Sequence, residues 1–79
     1  YPNPFNPVTN FGFRIAEFGL VKLTIYDALG KEIAIIVNEE MQPGSYNVDW
    51  DATSYPSGVY FYMMKAGEYI ESRKMIILK

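Results

Sequence analysis

Apolar and polar positions alternate along most of this chain. Phe11, Phe13 and Ile15 are interleaved with Asn10, Gly12 and Arg14, the period-2 pattern of a strand with one buried face. Ala16-Glu17-Phe18-Gly19 interrupts it, and Val21, Leu23 and Ile25 resume it up to Asp27, so these two runs are expected to pair as a hairpin. Leu29-Gly30-Lys31 reads as the next turn, where Gly30 takes φ > 0 without a Cβ penalty. Residues 32–37 follow as a third strand; a helix over 27–37 competes, but the crowding of isoleucine and valine and the interruption at Gly30 favour strand.

Residues 39–45, with Pro43-Gly44, read as a connection. Tyr46, Val48 and Trp50 then face one way on a fourth strand, with Trp50 as a core anchor. Residues 52–58 form a loop rich in Ser, Pro and Gly. Residues 59–64 are apolar or aromatic on both faces, which fits a strand buried on one side and covered on much of the other. Ala66-Gly67 closes a hairpin onto a return arm from Tyr69 to Lys79. Six or seven short strands with Gly or Pro at most turns predict an all-β fold, a small immunoglobulin-like antiparallel sandwich.

The opening Tyr1-Pro2-Asn3-Pro4-Phe5-Asn6-Pro7-Val8-Thr9 has a different grammar. Each proline fixes its own φ and pushes the residue before it toward extended geometry, so residues 1–9 read as a stiff extended lead-in to a sandwich over 10–79. Together they make one domain of 79 residues, a size at which folding buries only about 60% of the unfolded surface.

Composition narrows the function. An apolar fraction of 49% supports a core, and a net charge of −2 without runs offers no electrostatic footprint for nucleic acid or an anionic membrane. No stretch approaches the ~18 apolar residues of a membrane span. With no cysteine and no histidine, thiolate and imidazole chemistry are excluded, so no catalytic residue, metal ligand or cofactor is expected. Asp49 and Asp51 share a face two residues apart, yet read as a solvated strand face and a turn, since so small a domain has little room for a cleft of ~300 Å³. Glu39-Glu40 reads as a solvated loop pair. Tyr55, Tyr60, Tyr62 and Tyr69 are expected to pack rather than to stack on sugar rings. The closing Ser72-Arg73-Lys74-Met75-Ile76-Ile77-Leu78-Lys79 is either a last core strand or an edge that a receptor, or a second copy, recognises.

Five stretches in order carry a family resemblance: residues 1–9, Ile25-Tyr26-Asp27-Ala28-Leu29-Gly30-Lys31-Glu32, Trp50-Asp51-Ala52, Pro56-Ser57-Gly58-Val59-Tyr60-Phe61-Tyr62, and residues 73–79. The chain resembles the C-terminal sorting domain of the type IX secretion system along its full length. Val8 and Met63 are small departures, standing where the family often has Ser and a polar residue. The resemblance implies a non-enzymatic address label on an exported cargo domain, in transit through the periplasm to the cell surface or beyond. Its implied partners are an outer-membrane translocon and a sortase-like peptidase. It assigns partner recognition to Gly58, Val59, Tyr60, Arg73, Lys74, Met75, Leu78 and Lys79, and turn positions to Gly30 and Gly44. An accessory carbohydrate-binding or adhesion sandwich is the alternative reading.

Overall fold

The computed structural model describes residues 8–78. Six strands follow one another: β1 (Val8–Ile15), β2 (Gly19–Asp27), β3 (Glu32–Met41), β4 (Gly44–Asp51), β5 (Gly58–Ala66) and β6 (Tyr69–Ile77). They form two antiparallel sheets, β1-β4 and β3-β2-β5-β6, in the expected all-β sandwich arrangement. Lys79 and the proline-rich residues 1–7 lie outside the described residues, and β1 starts at Val8, two residues before the expected boundary.

β2 is the centre of the molecule. Val21, Leu23 and Ile25 on its inner face are 0–1% exposed. Around them pack Phe11 and Ile15 of β1, Val37 of β3, Trp50 of β4, Tyr60 and Met64 of β5 and Ile77 of β6, with Ala52 just past β4. Period-2 alternation thus places the inner faces of β1, β2 and β4 as read. The outer face of β5 is only partly covered, with Val59 38% and Phe61 37% exposed.

The expected β1–β2 hairpin does not form. β1 pairs with β4 across Val8↔Asp51 to Ile15↔Gly44, while β2 lies between β3 and β5. Alternation says that a strand has one apolar face, not which neighbour completes its ladder. Here residues 16–18 carry the chain from one sheet to the other, so the two apolar faces meet across the core instead of lying side by side.

β3 is also longer than its apolar run. Glu39 and Glu40, expected in a loop, pair with Val21 and Leu20 as part of the strand, leaving only Gln42 and Pro43 between β3 and β4. An edge strand with solvated side chains has no hydrophobic alternation by which to recognise it.

Candidate recognition surface

The motif stretches divide into those that hold the fold and those that face outward. Asp27 ends β2, and its Oδ1 accepts the backbone N–H groups of Leu29 and Lys31, both at 2.9 Å. The Gly30 N–H returns to the Asp27 carbonyl at 2.9 Å, with Gly30 at φ 85°. The Asp-Ala-Leu-Gly-Lys stretch is therefore a self-contained turn.

Trp50-Asp51-Ala52 works in the same way. Trp50 is in the core, Asp51 Oδ1 accepts the Thr53 N–H at 2.9 Å and also the Thr53 hydroxyl, and the fully buried Ala52 accepts the Tyr55 N–H at 2.9 Å. Asp49 takes the side-chain amide of its cross-strand partner Asn10 at 2.9 Å. Each of the two carboxylates is engaged in local structure, and each is exposed.

The tyrosines separate by position. Tyr55 lies 5.4 Å from Trp50 and donates to the Ile33 carbonyl, tying the loop to β3. Tyr60 is 5% exposed, stands edge-on to Trp50 at 6.2 Å and donates to the Pro56 carbonyl at 2.7 Å. Tyr62 meets Phe11 edge-on at 5.0 Å. Tyr69 is exposed on β6.

The two stretches assigned to recognition lie on the two arms of the β5–β6 hairpin, which forms at Ala66-Gly67 as expected. β5 and β6 pair as Gly58↔Ile77, Val59↔Ile76, Tyr60↔Met75, Phe61↔Lys74 and Tyr62↔Arg73. Gly58 opens β5 at φ 155° with nothing near the position of a Cβ, so its place in the motif is conformational. Val59, Arg73 and Lys74 are exposed, Met75 is half-buried, and Leu78 lies just past the strand, 56% exposed. Tyr60 turns its ring inward. β6 forms one edge of the four-stranded sheet.

Charge at this edge is locally paired. Arg73 Nε donates to Glu71 Oε2 at 2.6 Å, and the Tyr69 hydroxyl donates to Glu71 Oε1 at 3.2 Å. The Arg73 hydrogen bond, with that of Tyr69, holds the Glu71 carboxyl below its usual value, and the carboxylate raises the Tyr69 phenol. An open cleft of about 780 Å³ runs between the β1–β2 connection and the β5–β6 hairpin tip, lined by Phe13, Ile15, Phe18, Met64 and Tyr69. It exceeds the volume expected of so small a domain because the two-stranded sheet leaves part of the larger one uncovered, and neither Asp49 nor Asp51 lines it.

A family model described as the secretion system C-terminal sorting domain matches residues 1–78. The chain belongs to this family. No curated protein and no solved structure matches it. The sorting domain is a type IX secretion signal: it marks a cargo protein handled by that machinery and bound for the cell surface or the exterior. The family is one of sorting signals rather than of enzymes.

Proposed function

We propose that the sorting domain directs its parent cargo from the periplasm across the outer membrane, and that the translocon reads the β5–β6 edge. The observation that carries this is the register, which brings the two motifs together at one edge of the sheet: Val59 and Lys74 on its outer face, Arg73 and Met75 on the face that Tyr60 shares, with Gly58 opening β5 and Leu78 just past β6. Strand edges offer unpaired backbone groups for capture, while alternate side chains give specificity. In this reading Tyr60 contributes by holding β5 in place from its inner face. Removal of the domain by a sortase-like peptidase follows passage.

The carbohydrate-binding alternative needs a flat row of accessible rings. Trp50 and Tyr60 are buried and Tyr62 packs on Phe11, which counts against it. The test is a reporter placed upstream of Tyr1 behind a secretory signal, in a host with and without a working type IX translocon. Translocon-dependent export supports the proposal; retention in the periplasm of a host that exports its own cargo sinks it.

A further inference from the structure

Side-chain direction sorts the charges of the larger sheet. On β2, β5 and β6 the acidic residues Asp27 and Glu71 share the side of the inward Val21, Tyr60 and Met64, while Lys22, Lys65 and Lys74 all stand on the outer face. Lys22 lies directly opposite Lys65, and like charges so placed destabilise a strand pair. Among the described residues none of the three lysines pairs with a carboxylate. Beside them the same face is apolar, with Val59, Phe61, Met63, Ile70 and Ile76; Ile70 is 58% and Ile76 60% exposed. Glu32 and Glu40 stand along β3, opposite Tyr26 and Leu20, and bound the patch on that side. The sequence shows no run of positive charge because the three lysines come from three strands, and only the sheet gathers them.

We propose that the outer face of β2, β5 and β6 is a docking surface for an anionic phospholipid bilayer, on which the domain lies flat without inserting a strand. Contiguous exposed apolar side chains mark an interaction surface, and the lysines among them set the sign of what covers it.

The shape of the face and the kind of cation select a bilayer over an acidic protein. None of these eight side chains lines the cleft beside Phe18 or the smaller one beside Phe11, so the face is a broad sheet without a groove for a peptide. Its cations are lysines, whose long stems keep the ammonium among headgroups while the neighbouring apolar side chains reach the acyl boundary. A fixed carboxylate is better held by the planar fork of arginine, and Arg73 points to the other face. Lys22 and Lys65 lie toward the Ala66-Gly67 turn and Lys74 toward the other end of the sheet, which suits a diffuse negative surface. The inference rests on this face itself and not on the sorting role.

The test is sedimentation of the 79-residue chain with vesicles, of phosphatidylcholine alone or mixed in equal parts with phosphatidylglycerol. The chain should pellet with the mixed vesicles, stay in solution with the neutral ones, and be released by salt, which screens surface charge. Lys22→Gln with Lys65→Gln should bind about thirtyfold more weakly, the attraction of two lysines to such a surface. That variant removes a like-charge pair and leaves the core untouched, so a loss of binding is not a loss of fold. Arg73→Gln removes a positive charge from the inner face and should bind like wild type. Ile70→Thr with Ile76→Thr keeps β-branched side chains and every charge, and should also bind more weakly. Phe61→Trp should shift its emission to the blue on mixed vesicles, over the steady signal of the buried Trp50. A chain that binds neither vesicle, a loss in Arg73→Gln equal to that of the lysine pair, full binding by the Ile70/Ile76 variant, or an unmoved Phe61→Trp emission would overturn the proposal. So would displacement from the vesicles by soluble polyglutamate at matched charge, which would make the face a site for an acidic protein.

Discussion

The Tyr60 hydroxyl donates to the Pro56 carbonyl at 2.7 Å, which ties the start of β5 to the loop before it. The same ring lies edge-on to Trp50, so the Pro-Ser-Gly-Val-Tyr stretch is clamped to the core at its last residue. Tyr60→Phe keeps the ring and loses the bond. The cost should be about 1 kcal/mol, seen as a melting temperature lower by about 4–8 °C in thermal unfolding. Export of the folded fraction should be unchanged. A Tyr60→Phe domain as stable as wild type but not exported would assign the hydroxyl to the partner instead.

Gly30 gives a second stability test. At φ 85° with open space where a Cβ would stand, Gly30→Ala meets no clash and only backbone strain, costing about 1–2 kcal/mol. Asp27→Ala leaves two turn N–H groups without their acceptor and should cost about 1 kcal/mol. Because both changes loosen one turn, the double variant should lose less than the sum. Full additivity in urea titrations would show that the turn does not act as a unit.

Much of this fold is legible in the sequence, and its gaps have physical causes. The inner faces of Phe11/Ile15, Val21/Leu23/Ile25 and Tyr46/Val48/Trp50 follow from period 2 alone. What alternation cannot carry is partnership, since Phe11 and Leu23 are buried alike whether their strands are side by side or face to face. Glu39 and Glu40 are hidden as strand residues because both are solvated. The hairpin read at Ala66-Gly67 already makes the two recognition motifs neighbours, but not which face each of their residues takes. The sheet register alone brings Tyr60 opposite Met75 and Val59 opposite Ile76, and nothing local in the sequence tells the inward Tyr60 from the outward Val59.

Glu71 ties charge to pH. Its carboxyl is lowered chiefly by the Arg73 hydrogen bond, so in a carbon-detected titration Arg73→Ala should move its midpoint upward. A depressed folded-state value contributes stability above the unfolded carboxyl value and loses it as pH falls through the folded one. Both partners lie at the surface, so solvent screens the pair and the acid limb of stability should change little. An unmoved Glu71 midpoint would mean that the bridge does not persist in solution.

The last prediction separates recognition from folding. Lys74 and Leu78 are exposed, and surface substitutions of this kind change stability by within ~0.5 kcal/mol. Lys74→Ala with Leu78→Ala should therefore leave the unfolding curve in place. If the translocon reads this edge, the same pair should leave the reporter in the periplasm. Leu29→Ala is the matched control: Leu29 is 94% exposed on the β2–β3 turn, on neither β5 nor β6, and its loss should affect neither property. The decisive pattern is a domain that unfolds like wild type and is not exported. Export of the Lys74/Leu78 variant at the wild-type level would move recognition off this edge, toward the uncovered cleft between the β1–β2 connection and the β5–β6 hairpin tip.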